Sequence, residues 1–373
     1  MTQTTQAIDD RNVAGPVLYM AFELAVKKWK LAFAGGARKR VRTVDGRDLV
    51  QVHWEIAEAK RKLGLPDDAQ VVSCYEAGGD GFWLHRSLLE QGIQNHVVDP
   101  GSIERSRRKR RAKTDRLDVR MLLRKLVQYH LGDRELWSVV RVPSVDAEDA
   151  RRVHRERDRL KKERVGHINR IRQLLLGQGI VLERFRSVEK QLGRMALPRH
   201  LEAELRRQLA RLDLVGQQLK EHDAEHTRQL AEDSSPAVAK MKRLLSLKGI
   251  GDVGARLLVM ELFGWRTFDN RRQLAGCVGL TGTPHNSGNS EREQGISKQG
   301  RPALRGLLVE LSWLWLRFQP QSRLSVWYQE RFGTGQRSRK VGIVALARKL
   351  LIALWRFVEH GKVPEGALLK AVS

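Results

Sequence analysis

Apolar and polar residues change rhythm twice along the chain, and each change marks a boundary between kinds of structure. From Val17 to Ala25 the chain is rich in β-formers and carries one internal acid, Glu23; Trp29 to Ala34 repeats that character after a short lysine-bearing turn. Both stretches read as strands. After Gly35-Gly36, residues Arg40 to Val44 alternate basic with β-branched side chains up to Asp45-Gly46, which predicts the third strand of a meander. The period then shifts. Leu49, Val52, Ile56 and Leu63 recur at helical spacing between Asp48 and Leu63, with Pro66 beyond the stop. A strand Gln70 to Glu76, a Gly78-Gly79 loop, a helix from about Phe82 to Gln91, a strand Asn95 to Val98 and a helix from about Thr114 to Gln128 follow. The order βββαβαβα predicts a ribonuclease-H-like mixed sheet with helices on its faces over residues 15–130.

From Ala147 to Ala231 charged helix takes over. Leu160, Ile168, Ile171, Leu174 and Leu175 form one apolar stripe, and Leu205, Leu212 and Leu219 recur at heptad spacing with Leu201 and Val215 near the alternate seam position. Two long coiled-coil-like helices over 147–232, broken near Gly177-Gln178-Gly179 and near Pro198, account for the pattern. Their stripe suits an internal hairpin or a seam between protomers equally well. Ser234-Ser235-Pro236 ends this segment, and residues 238–360 read as a helical domain rich in glycine. Trp313, Trp315, Trp327 and Trp355 fall in its helical stretches, where core packing is the expected role.

Charge narrows the function. Sixty-nine Lys and Arg against 43 Asp and Glu leave a formal charge of +26, which calls for a polyanionic partner, nucleic acid first. No stretch approaches the roughly 20 apolar residues of a spanning helix, and the polar start lacks a signal-peptide core, so the expected location is the cytoplasm, at the nucleoid. Cys74 and Cys277 stand in apolar segments without partners at ligand spacing and read as core thiols.

The acids of the first region carry the clearest chemistry. Glu23 lies between Phe22 and Leu24 in an apolar strand, where an unpaired charge is costly. Glu76 ends the fourth predicted strand just before a glycine loop, where α/β folds place their sites. Asp115 and Asp118 are three apart at a helix start and share a face. In a ribonuclease-H-like sheet these elements converge, and two Mg²⁺ ions held by four carboxylates can clamp the attacking and leaving oxygens of a phosphodiester. Immediately upstream run Arg105, Arg107, Arg108, Lys109, Arg110, Arg111 and Lys113, suited to holding phosphates against those acids. In the last region Leu244 to Ala255, with Lys248, Gly249 and Gly251, has the form of a helix-hairpin-helix element whose amides can grip phosphate. A polar loop, Gly279 to Ser290, precedes Gly295-Ile296-Ser297-Lys298-Gln299-Gly300-Arg301-Pro302, whose Lys298 and Arg301 are further candidate phosphate contacts. On composition alone Ser287 is a turn residue.

The strand-borne acid, Tyr75-Glu76-Ala77-Gly78-Gly79, Lys113-Thr114-Asp115-Arg116-Leu117-Asp118, Gly249-Ile250-Gly251 and Asn286-Ser287-Gly288 through Ile296-Ser297-Lys298-Gln299-Gly300 resemble, in that order, the bridge-RNA-guided insertion-sequence recombinases of the IS one-ten family. The resemblance runs from Val17 to about Arg317. It implies a RuvC-like domain whose acids, here Glu23, Glu76, Asp115 and Asp118, bind Mg²⁺; a helical linker that mediates oligomerisation to a dimer or tetramer; and a transposase domain whose serine, here Ser287, forms a covalent phosphoserine link to DNA. It further implies a structured noncoding guide RNA that pairs with donor and target DNA. One position departs: the family's first acid is typically Asp, and Glu23 is one methylene longer. Two other readings stay open on the residues, a Holliday-junction-type nuclease that uses the same carboxylates with water, and a non-catalytic nucleic-acid-binding protein.

Overall fold

The computed structural model describes residues 15–36, 38–103, 115–182, 185, 188, 192–193, 196–287, 290–333 and 335–370, with side chains outside 115–116, 284–287, 290–294 and 336–337. They form two compact units, divided between Val142 and Pro143.

The first unit is a five-stranded mixed sheet. Strands β1 (Val17–Glu23), β2 (Lys28–Gly35) and β3 (Arg38–Asp45) make the expected meander; helix α1 (Leu49–Leu63), strand β4 (Gln70–Glu76), helix α2 (Trp83–Glu90), strand β5 (Gln94–Val98) and helix α3 (Asp115–His130) follow. The strand order is β3-β2-β1-β4-β5, antiparallel within the meander and parallel from β1 through β4 to β5. Alternation along β1 sorts its side chains. Leu18, Met20 and Phe22 join Tyr75 and the buried faces of α1 and α2, whereas Ala21 joins Val72, Cys74 and the Val119, Leu122, Leu123 and Leu126 stripe of α3. The sheet is therefore sandwiched, with α1 and α2 on one face and α3 on the other.

Asp48 starts α1 by accepting the Gln51 amide, and Gly64 ends it in the left-handed region. A buried ion pair, Arg40 to Glu55 at 2.5 Å, joins β3 to α1. The unit extends beyond the 130 boundary expected from sequence. Trp137 enters the α3 core, the Asp99 and Val140 amides donate to Ser138 and Val97 carbonyls, and Val139 bridges Val98, so residues 137–142 line the β5 edge.

The second unit opens with two long helices, α4 (Val145–Leu176) and α5 (Arg199–Glu232). They run antiparallel: Arg157 pairs with Asp223 at 2.7 Å, His167 with Gln208 at 2.7 Å and Arg170 with Glu204 at 2.7 Å. Leu205 of the expected stripe is fully buried against Ile171 and Leu175 of the same chain, so that stretch closes an internal hairpin. Helices α6 (Pro236–Leu245), α7 (Asp252–Leu258), α8 (Arg271–Val278), α9 (Pro302–Phe318), α10 (Arg323–Phe332) and α11 (Gln336–His360) build the remainder. Their core includes Leu244, Leu258, Leu308, Leu350 and Trp315, whose indole N–H donates to Ser322 Oγ at 2.8 Å. Of the four tryptophans expected in the core, Trp315 is fully buried and Trp327 and Trp355 are partly buried, whereas Trp313 is about half exposed. Cys74 is buried and Cys277 partly so, both as free thiols.

One element was not foreseen. The stretch read as a polar loop forms an antiparallel hairpin, β6 (Gly282–Ser287) and β7 (Ser290–Ile296), with Ser287 opposite Ser290.

Candidate catalytic sites and nucleic-acid surface

The sheet topology sets two of the first-region acids, Glu23 and Glu76, at one end of one face. Phe22 and Tyr75 are register partners on the adjacent parallel strands β1 and β4, so the next residue on each, Glu23 and Glu76, stands side by side at the C-terminal edge. Both fall on the α3 face by the alternation that puts Ala21 and Cys74 there. Asp118, half-buried, precedes Val119, whose side chain packs on that same face. Asp115 begins the same helix, but its side chain lies outside the described residues. The negative charge at this edge is felt locally: burial first, and then the Glu76 carboxylate, push the Cys74 thiol far up. Among the described residues no three acid, His or Cys side chains stand at ligating distance of one point. The seven-residue basic run from Arg105 to Lys113, with Arg107, Arg108, Lys109, Arg110 and Arg111 between, also lies outside the described residues.

In the second unit, α6, a short turn and α7 occupy the segment read as helix-hairpin-helix. Gly249 takes φ +86° and a Cβ there would meet the Leu314 carbonyl at 3.3 Å, so the turn fits closely against α9. The Lys248 amide donates to Leu368 and its carbonyl accepts from Gln319. Those backbone groups are used inside the protein, while the Lys248 side chain and Gly251 face solvent.

The hairpin that carries Ser287 has a tightly built foot. Gly279 ends α8 at φ +72°, and Lys298 and Gly300 are also left-handed, at φ +57° and +71°. A Cβ on Gly279 would lie 2.1 Å from the Gln299 carbonyl, and one on Gly300 2.2 Å from the Cys277 carbonyl. Arg305 Nη1 donates to the Val278, Gln299 and Gly300 carbonyls. Lys298 is exposed, as a phosphate contact requires, but Arg301 turns inward and pairs with Glu261.

Glu261 is the group that sequence reading passed over. It sits in a π-helical turn, Val259–Phe263, sealed by the Gly264 amide donating to Val259. The inserted residue turns the carboxylate off the apolar face of its neighbours and inward onto a cluster of cations. Arg155 holds it with two bonds, Nε to Oε1 at 2.9 Å and Nη2 to Oε2 at 3.1 Å. His154 Nε2 donates to Oε1 at 2.8 Å, and Arg151 lies 4.0 Å from Oε2. Burial, then Arg301 and Arg155, hold the His154 imidazole down at about 3, so it is neutral at physiological pH. Burial and the neighbouring guanidinium of Arg155 likewise pull Arg151 down to about 10. The one signal available in sequence was a lone acid in Val259-Met260-Glu261-Leu262-Phe263.

A mixed sheet with paired acids at its edge, followed by a basic helical unit, is the architecture expected of an enzyme acting on DNA strands. Comparison with known proteins agrees. The model of a DEDD-type transposase domain of the IS110 kind matches residues 49–179, and that described as "Transposase IS116/IS110/IS902 family" matches residues 241–326. The chain is 41% identical over 95% of its length, and 94% of the relative's, to the protein y4rJ of Sinorhizobium fredii (strain NBRC 101917 / NGR234). It is 32% identical over 57% of its length, and 63% of the relative's, to the transposase for insertion sequence element IS1328 of Yersinia enterocolitica. It is 28% identical to the transposase for insertion sequence element IS1111A of Coxiella burnetii (strain RSA 493 / Nine Mile phase I), over 74% of each chain. The chain belongs to the IS116/IS110/IS902 family of insertion-sequence transposases, enzymes of DNA strand cleavage and transfer. A DEDD domain also implies divalent metal use and suggests a ribonuclease-H-like fold. Among the described residues no helix is long and apolar enough to cross a membrane.

Proposed function

We propose that this transposase is an RNA-guided recombinase that cuts DNA by forming a covalent phosphoserine link through Ser287, assisted by Mg²⁺ held on Glu23, Glu76, Asp115 and Asp118. The observation that carries the metal reading is the register of β1 and β4, which sets two carboxylates side by side at the strand ends on the face covered by α3. Half-buried carboxylates at strand and helix ends can rotate about χ1 to meet a shared cation. Glu23 reaches one methylene further than Asp would. Bound there, two Mg²⁺ ions supply the positive charge that neutralises a phosphodiester under attack.

The protein's own part in the reaction is conservative of bonds. The Ser287 hydroxyl gives up its proton and its oxygen bonds to phosphorus. The ester bond to one strand oxygen breaks, and that oxygen leaves as a hydroxyl with a proton. Attack by a new strand-end hydroxyl reverses the exchange and restores the serine, so one ester is exchanged for another without an external energy source. The exposed Lys298, the Lys248 and Gly251 turn and the Arg105 to Lys113 run supply backbone-directed charge.

The surplus of +26 charges exceeds what the roughly 6 to 10 phosphate contacts of a short duplex use. A structured guide RNA accounts for the remainder and for target choice, leaving the protein to read shape and phosphate. Donor DNA, target DNA and a homo-oligomeric assembly of two or four chains complete the reading, in the cytoplasm at the nucleoid. The test is strand cleavage of DNA bearing the element's ends by RNA-loaded protein. Glu76→Gln and Asp118→Asn are expected to lose Mg²⁺-dependent cleavage and keep DNA affinity, and Ser287→Ala to bind without forming an adduct. Normal cleavage by Asp118→Asn sinks the shared metal site.

A further inference from the structure

A nucleophile on a two-stranded hairpin needs a rigid mount, since an isolated hairpin is marginal in water. The foot of β6–β7 is where the described contacts concentrate. The Ser297 amide donates to the Thr281 carbonyl at 2.9 Å and the Lys298 amide to the Gly279 carbonyl at 3.2 Å. Arg305 ties the Gln299 and Gly300 carbonyls to the end of α8. The next residue, Arg301, leaves this foot and ion-pairs with Glu261. Glu261 is only 5% exposed, and its remaining bonds go to His154 and Arg155 on α4. One carboxylate therefore links three stretches far apart in sequence: the hairpin foot, the π-turn after α7, and the first half of the long helix α4.

We propose that Glu261 is a positioning residue for the strand-transfer reaction: by binding Arg301 together with His154 and Arg155, it fixes the foot of the Ser287 hairpin to helix α4. The inference rests on the reading of Ser287 as the nucleophile. The case is chemical. Val259, Leu262 and Phe263 around Glu261 are buried and apolar, and an apolar residue would fill that space without the desolvation penalty of an ion. A carboxylate instead imposes direction, because Arg155 grips both of its oxygens in a planar fork that a shifted helix would break. Glu261 has two oxygens and every described partner is a cation or a neutral N–H donor, so an uncharged amide in its place keeps one acceptor oxygen and turns the other position into a donor facing them. Gly279 and Gly300 transmit the constraint without slack, since no side chain separates the crossing backbones at the foot.

The test uses the full chain, its copurified RNA and DNA carrying the element's own ends, comparing wild type with Glu261→Gln and Arg155→Lys. Three quantities are read: amide hydrogen exchange of β6 and β7, the rate of covalent adduct formation at saturating DNA, and the DNA concentration giving half that rate. Glu261→Gln is expected to speed hairpin exchange about tenfold over α9 core amides and to lower the saturated rate by roughly 10- to 100-fold, the cost of a displaced reacting group. The half-saturating DNA concentration is expected to stay within about twofold of wild type, because ground-state binding does not depend on the nucleophile's aim. Arg155→Lys keeps the charge and loses the fork, so it moves the same readouts less; it also carries the test if Glu261→Gln does not fold. Hairpin exchange unchanged in a folded variant, or accelerated equally throughout the second unit, overturns the proposal. If wild type forms no adduct, the Ser287 reading fails, and hairpin exchange alone still decides whether Glu261 holds the foot.

Discussion

Two glycines that end helices in the same left-handed conformation make an internally controlled experiment on the hairpin foot. Gly279 ends α8 at φ +72° and Gly361 ends α11 at φ +70°, each returning its amide to carbonyls of the last turn. Alanine at either site bears the left-handed penalty of about 1 to 2 kcal/mol. Around Gly361 a Cβ meets nothing within 4 Å, so the cost stops there. At Gly279 it would sit 2.1 Å from the Gln299 carbonyl, 2.5 Å from the Gln299 nitrogen and 2.8 Å from the Lys298 carbonyl carbon, all backbone atoms that cannot swing aside. Relief requires the 298–300 segment to move by about an ångström, at the overpacking cost of about 1 to 3 kcal/mol. Gly279→Ala should therefore lose about 1 to 3 kcal/mol more than Gly361→Ala by urea unfolding, and adduct formation should fall in the first variant only. Equal losses within about 0.5 kcal/mol, with equal activity, would refute the close-approach reasoning.

Other expectations follow from the second unit. Leu205 is consumed by the internal hairpin, so self-association through the long helices should depend on exposed apolar residues away from their ends, such as Val165 and Leu214; charged substitutions there should lower the mass seen by light scattering, and an unchanged mass assigns the oligomer contact elsewhere. The unfolded chain takes up a proton on His154 below about 6.5, whereas the folded one resists until about 3. Stability should thus fall as pH drops across that window. Asp223, held below the usual carboxylate range by its Arg157 bond, and Asp252, where burial pushes the carboxyl up but His226 and Arg256 together hold it down, add further loss at the acid end. His154→Gln should flatten the upper part of the profile, and an unaltered slope would show that another group titrates. Low-salt purification should yield a discrete RNA, and nuclease-treated protein should lose site-selective cleavage; undiminished selectivity would require a direct sequence reader.

The sheet of the first unit was legible because its strands are buried, and burial writes a pattern: the β4 boundaries Gln70 to Glu76 agree at both ends, and Glu23 stood out as a charge in an apolar run. What alternation cannot state is which strands pair, and it is the parallel β1–β4 register that makes Glu23 and Glu76 neighbours. Residues 137–142 were missed because a short edge segment held by two backbone bonds needs little apolar content. The Ser287 hairpin was missed for a related reason. Gly282-Thr283-Pro284-His285-Asn286-Ser287 and Ser290-Glu291-Arg292-Glu293-Gln294-Gly295 hold few β-formers, and Pro284 argues against a strand unless the pair has open edges, as a two-stranded ribbon does. Family resemblance flags the serine there, while its segment folds as a ribbon that its composition does not announce. Glu261 hid because its four basic partners, Arg151, His154, Arg155 and Arg301, lie far from it in sequence on either side, among dozens of arginines of equal appearance.

The central claim, that a serine on this hairpin becomes joined to DNA, is tested most directly by trapping and mapping. Wild-type chain loaded with its copurified RNA is incubated with a nicked suicide duplex carrying the element's end, denatured, digested, and the nucleotide-bearing peptide sequenced by mass spectrometry. The account predicts a single modified peptide with the phosphodiester remnant on Ser287, absent from Ser287→Ala. A remnant on Ser290 or Ser297, or efficient cleavage with no covalent species at any residue, would contradict it.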